Sequence, residues 1–137
     1  MNWLLGWFNW LLRIGNNDGT IGVRGERLAA DWLTTRGYTI LHRNLVIGRD
    51  EIDLLALAPD RQTIVLVEVK TRSGRHVSPE TAVNRSKQFR IMRAASKLQR
   101  FQQYRNAPLR LDVIAIIWQG QQEPELKHYE GAFESSF

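Results

Sequence analysis

The sequence predicts a single α/β domain, with a mixed central β-sheet flanked by helices. Three observations lead there. Patterns of helical period and of strand type follow one another as helix, three strands, helix, strand. Two of the strand-like runs, Ile64-Val65-Leu66-Val67 and Leu111 to Trp118, are nearly continuous in apolar residues, as expected of strands covered on both faces. A chain of 137 residues can bury one sizeable core but not two.

Taken in order, residues 1–19 read as an apolar N-terminal helix and turn, 20–120 as the α/β domain, and 121–137 as a polar, weakly ordered tail. In the first part Trp3, Leu4, Trp7, Phe8 and Leu11 recur at helical spacing. The run is shorter than the roughly 20 apolar residues that span a bilayer, and it lacks the basic start of a signal peptide. A helix docked on the domain or on a second subunit is therefore expected in preference to membrane contact. Asn16 to Gly19 is a turn cluster. From about Thr20 to Arg36, Ile21, Leu28, Ala29, Trp32 and Leu33 make an apolar helical stripe, and Gly37 is a natural stop. Tyr38 to Asn44 reads as a short strand. Glu51 to Leu57 and Thr63 to Lys70 are strand-like and joined by Ala58-Pro59-Asp60-Arg61-Gln62, which suggests a hairpin. Ser78-Pro79-Glu80 resembles a helix start, with serine as cap and proline at the first position. Helical patterning then runs, with one break, to about Tyr104, before the strand at Leu111 to Trp118.

Composition narrows the function. Zero cysteines exclude a disulfide scaffold, a thiolate zinc site and a cysteine nucleophile, and fit a reducing, cytoplasmic setting. His42, His76 and His128 are scattered, so a histidine zinc pair is not expected. A net charge of +5 leans towards polyanionic partners. The distribution of that charge says more. From Thr81 to Leu111 the chain has no acidic residue, and Arg90, Arg93, Lys97 and Arg100 step by 3, 4 and 3 along one helix face. Like charges so arranged oppose helix formation, and an anionic phosphate backbone is the natural counterpart. Lys87 and Gln88, near the start of that helix, are the candidates to touch the scissile region of a nucleic acid.

The chemistry is expected at Glu68 and Lys70, which end an apolar strand and share one face. Burying charges costs several kcal/mol each unless they are paired or bind a metal. If the hairpin turn is centred between Asp60 and Arg61, Asp53 lies opposite Glu68, with Cβ atoms ~5 Å apart. Two carboxylates that close repel each other unless a proton or a cation lies between them. Mg²⁺ or Mn²⁺ fits, since such ions take one or two carboxylates, waters and a substrate phosphate. Lys70 can then hold the attacking water or offset charge on the phosphorane. Glu26 borders the buried helix stripe and supplies a third acid. The competing structural reading makes Glu68 and Lys70 a strand-end ion pair, with Asp53 facing solvent and Glu26 a surface residue near a helix start.

Gly25-Glu26-Arg27-Leu28-Ala29-Ala30, Gly37-Tyr38, Arg43-Asn44, Glu51-Ile52-Asp53-Leu54, Val67-Glu68-Val69-Lys70-Thr71-Arg72 and Asp112-Val113, in this order, resemble the YraN-like family of small bacterial proteins predicted to be endonucleases. The resemblance covers about Gly22 to Ile117. It implies a restriction-endonuclease-like or Holliday-junction-resolvase-like fold, a PD-(D/E)XK-type site and a role in DNA repair or recombination. Ile52 stands where the wider superfamily has proline, and Asp50 where the family more often has glycine. Carried over, the site is Glu26, Asp53, Glu68 and Lys70. Asp53, Glu68 and the Val69 carbonyl would bind the metal, Lys70 would position water, and Glu26 would orient the water shell. The basic helix would hold a nucleic-acid backbone, DNA in preference to RNA, without reading bases, and a homodimer would suit a junction enzyme. The rival readings are a non-catalytic nucleic-acid-binding module and a protein tethered to anionic lipid through the tryptophan-rich start.

Overall fold

The computed structural model describes residues 21–73 and 85–132, and these form one α/β domain. The elements are α1 (Ile21–Thr35), β1 (Thr39–Ile47), β2 (Asp50–Leu57), β3 (Ile64–Ser73), α2 (Arg85–Leu98), a 3₁₀ turn (Gln102–Tyr104), β4 (Leu109–Trp118) and β5 (Glu125–Tyr129). The sheet runs β1-β2-β3-β4-β5. It is mixed, because β3 and β4 pair in parallel from Ile64↔Leu109 to Ser73↔Trp118 while the other neighbours are antiparallel. A parallel pair needs a long crossover, and α2 lies within it. Helix, three antiparallel strands, crossover helix and parallel strand make up the restriction-endonuclease-like arrangement.

Each face of the sheet is packed by one helix. On the first, Leu28, Ala29, Ala30 and Leu33 of α1 meet Leu54, Ala56, Val65, Val67 and Ile114. On the second, Ile91, Ala94, Ala95 and Leu98 of α2 meet Leu55, Ile64, Leu66 and Leu111. The alternation along β3 sends odd positions towards α1 and even positions towards α2. Being covered on both sides is why Ile64 to Val69 is buried throughout. At the end of α1, Gly37 adopts φ 90, and its N–H and that of Tyr38 donate to Thr34 and Leu33 carbonyls at 3.1 Å. Left-handed backbone of this kind favours glycine, so the helix stops where the sequence places its stop signal.

Three sequence expectations change. The strand expected to end at Asn44 continues to Ile47 and turns through Gly48 and Arg49 directly into β2. The second helix ends at Leu98 rather than near Tyr104, leaving only a 3₁₀ turn beyond it. The tail is not uniformly irregular, for Glu125–Tyr129 forms β5 along the free edge of β4. The expected N-terminal helix and the Ser78-Pro79 helix start fall outside the described residues. No helix among the described residues is long and apolar enough to cross a membrane.

One buried acid shows how the fold satisfies charge away from its cleft. Asp112 on β4 is 1% exposed. It accepts Arg110 Nε and Nη2, both at 2.9 Å, and the Gly131 amide at 3.0 Å, and lies 2.7 Å from His128 Nε2. Arg110 also donates to the Tyr38 hydroxyl at 2.6 Å, and that hydroxyl donates to Glu130 at 3.2 Å. The surrounding donors hold the Asp112 carboxyl below its ordinary value despite burial. This network fastens β5 and the residues after it to the sheet.

Candidate active site

The candidate site lies at the end of the β2–β3 hairpin away from its turn. Leu54↔Val67 is the last rung of the β2–β3 ladder in that direction, so the next step places Asp53 opposite Glu68, as the sequence register requires. On the other side of β2, Arg43 pairs with Leu54 and Leu45 with Ile52, which brings Asn44 level with Asp53. A row Asn44, Asp53, Glu68 thus crosses three strands. Asn44 has φ 49, a left-handed conformation that asparagine tolerates better than β-branched residues.

Glu68 is 3% exposed, on the α2 side of the sheet, with Lys70 Nζ 3.5 Å from its Oε1. Asp53 is half-buried and its Oδ2 accepts the Val69 amide at 2.8 Å, which fixes the carboxylate against the end of β3. Val69 contributes its N–H to this arrangement, beside the carbonyl expected of it as a metal ligand. Glu26 reaches the same region from α1. With its amide nitrogen turned towards the acids, Asn44 donates to Glu26 Oε2 at 3.1 Å and to Glu51 Oε1 at 3.3 Å. Burial, and next the nearby Asp53 charge, push the Glu26 carboxyl above its ordinary value. The approach of α1 depends on Gly25, where any Cβ would run into Thr71 Oγ1 of β3.

Between β2, β3 and α2 opens a cleft of about 250 Å³. Asp50, Glu51, Asp53 and Glu68 supply its acids, and Arg49 and Arg90 its cations. Arg49, on the β1–β2 turn, is exposed and has no ion pair among the described residues. A divalent cation fits this chemistry. Asp53 and Glu68 provide two hard oxygen donors side by side, and water with a phosphate can complete the shell. Among the described residues no group of three or more His, Asp or Glu gathers in a metal-holding arrangement.

Two cations of the expected track have a partner within the protein. Arg93 and Lys97 turn inwards to Asp50, which is 2% exposed. Arg93 forms a two-pronged bond to it, Nη2–Oδ1 2.6 Å and Nε–Oδ2 2.9 Å, and Lys97 Nζ lies at 3.2 Å. Arg93 above all, and then Lys97, hold the Asp50 carboxyl well below the ordinary carboxylate range. A buried carboxylate must find partners, and this one takes two of the four stripe cations. Arg90 remains on the cleft wall, and Arg100 lies past the end of the helix. The side chains of Lys87 and Gln88 fall outside what the structure describes.

Sequence reasoning gave no role in the site to Asn44, Arg49, Asp50 or Glu51. An asparagine within a strand pattern was a signal for the first, since asparagine is depleted in strands. The single-signed stripe was a signal for Asp50, because such a stripe also answers to an internal anion.

Residues 25–116, the span holding Glu26, Asp53, Glu68 and Lys70, match the model of "Uncharacterised protein family UPF0102". A UPF0102 protein of Geobacter metallireducens is 41% identical over 122 residues, 88% of this chain and 98% of its own length. One from Trichlorobacter lovleyi is 37% identical over 126 residues, 90% and 98% of the two chains. Another, from Prosthecochloris aestuarii, is 38% identical over 111 residues, 80% and 86%. Matched over residues 25–116, and 41% and 37% identical to two relatives over most of its length, the chain belongs to the UPF0102 family.

Proposed function

We propose that the protein is a nuclease that hydrolyses phosphodiester bonds with Mg²⁺ or Mn²⁺ held by Asp53 and Glu68. One observation carries the reading: two acids on neighbouring strands sit opposite each other in a cleft that also presents arginines, and a third acid beside them is pushed towards its protonated form. An arrangement that repels itself when empty of cations suits a cation bridge. The bound cation would supply Lewis-acid polarisation of a phosphate oxygen and lower the pKa of water.

The chain's own residues do the rest. The Val69 amide orients Asp53. Lys70, beside Glu68, positions the attacking water and offsets charge developing on the phosphorus oxygens. Glu26, held by Asn44, would orient water in the cleft and exchange a proton with it. Arg49 and Arg90 bind the flanking phosphates, with Arg100 further out, and contacts of this kind position a backbone without reading its sequence. DNA is the substrate favoured over RNA.

The test is cleavage of labelled duplex, single-stranded and branched DNA, and of RNA, with Mg²⁺, Mn²⁺ or EDTA. Wild type is compared with Glu68→Ala. Metal-dependent cutting lost in the variant is the expected result. Binding without cutting by both proteins under every metal would replace the nuclease with a binding module on the same scaffold.

A further inference from the structure

A second recess, of about 310 Å³, lies beside the acidic cleft. The two share a wall. Gly48 of the β1–β2 turn lines the second recess and the next residues, Arg49 and Asp50, line the first. Likewise Leu98 lines the second, while its neighbour Lys97 is bonded to Asp50 of the first.

The linings differ in kind. The acidic cleft holds carboxylates and guanidinium groups, whereas the second recess has the rings of His42, Phe101 and Tyr104, the aliphatic Leu45 and Val46, and the Gln103 amide. No carboxylate is among its lining residues. Phe101 is 51% exposed and Val46 64%, so large apolar surface is left open to solvent. Arg100 and Arg105, both exposed, bracket the aromatic segment, and neither has an ion pair among the described residues.

We infer that this recess holds an unpaired nucleobase of the strand whose phosphate lies in the acidic cleft. The protein's substrate class is accordingly single-stranded or locally opened nucleic acid. The inference rests on the proposed nuclease reading for its direction, because continuity with the acidic cleft is what selects a nucleotide over another apolar ligand. Aromatic faces stack bases, exposed arginines track the backbone, and this combination is the usual basis of single-strand binding. The Gln103 amide both donates and accepts, as the edge of an unpaired base requires. A base still paired in a duplex cannot enter a recess of this kind without leaving its stack.

The experiment measures binding of the full chain in EDTA, so that chemistry does not intervene. Single strands carry 2-aminopurine at successive positions, and a duplex of the same sequence is the comparator. Wild type should bind the single strand more tightly and quench 2-aminopurine at one position. Phe101→Ala should lose about tenfold in single-strand affinity and lose that quenching, with duplex affinity unchanged. Because Phe101 is half exposed, its thermal midpoint should match wild type, and Phe101→Tyr should restore stacking. Equal affinity of wild type and Phe101→Ala for the single strand would overturn the inference. So would an equal loss on single strand and duplex, or an effect of Phe101→Ala on self-association alone, which would make the recess an interface between copies. Stacking lost in Phe101→Ala, in a protein that never cuts, would retain the base site and remove the nuclease; Glu68-dependent cutting with no Phe101 effect would do the reverse.

Discussion

Two acidic regions of the same sheet are wired in opposite ways. Around Asp112 every neighbour is a donor: Arg110, His128 and the Gly131 amide converge on one carboxylate. Around Asp53 the neighbours include other acids, Glu68 across the hairpin and Glu26 from α1. Asp112 is held below its ordinary proton affinity by its donors, whereas Glu26 is raised above its own by burial and then by Asp53. Burial alone therefore does not distinguish structure from chemistry. The sign of the nearest charges adds what burial leaves open, for Asp112 is met by donors whereas Glu26 faces Asp53.

The largest expected effect breaks the satisfied side. Asp112→Ala leaves the Arg110 guanidinium partly buried without its partner and should cost about 3 kcal/mol in urea denaturation. Glu68→Gln, made at an equally buried carboxylate, should cost nothing or raise stability in EDTA, because it removes like-charge repulsion. A loss as large as that of Asp112→Ala would erase the distinction. Next in size, Asp50→Ala should cost about 2 kcal/mol, less than Asp112 because Arg93 and Lys97 are partly solvated and can turn to water.

Metal should act on one region only. At tenfold excess over its Kd, Mn²⁺ should stabilise wild type by about 1.4 kcal/mol, read as a raised thermal midpoint, and should leave Glu68→Gln unmoved. The smallest effect is in the pH profile, where carboxylates bonded to cations and the carboxylate facing another acid carry opposite signs. Asp50 and Asp112 titrate below their ordinary 3.8, so the unfolded chain takes up protons first and stability falls as pH drops below about that value. Glu26 titrates above its ordinary 4.5, so the folded protein holds a proton the unfolded chain has released, and stability falls as pH rises through that raised value. Glu26→Gln should flatten the upper branch and Asp50→Asn the lower, in denaturation series from pH 3 to 7.

How much of this was legible depends on the range over which the information acts. The opposition of Asp53 and Glu68 could be read because a short hairpin turn, marked by Pro59 and Asp60, fixes register locally; Asp60 indeed closes it, accepting the Gln62 and Thr63 amides at 2.8 Å. The continuous apolar runs of β3 and β4 likewise announce two-sided burial. The fate of Arg93 and Lys97 could not be read, because it depends on where Asp50 is buried, and that is set by packing between elements far apart in sequence. Nor could β5, a short polar strand that exists because the edge of β4 offers it hydrogen bonds. Periodicity reports a surface but not what the surface meets.

Gly25 has a consequence for evolution in the laboratory as well as for packing. It is a spacer of zero length, and the helix carrying Glu26 rests on Thr71 through it. Enlarging it to alanine would lift the start of α1 from β3 and draw Glu26 away from Asp53. The acid's proton affinity would then relax towards that of any solvated glutamate, with Glu26 itself unchanged in sequence. Tolerance at this position should be recoverable by trimming the other surface, and Thr71→Ala is the compensating change that a selection starting from Gly25→Ala should return first.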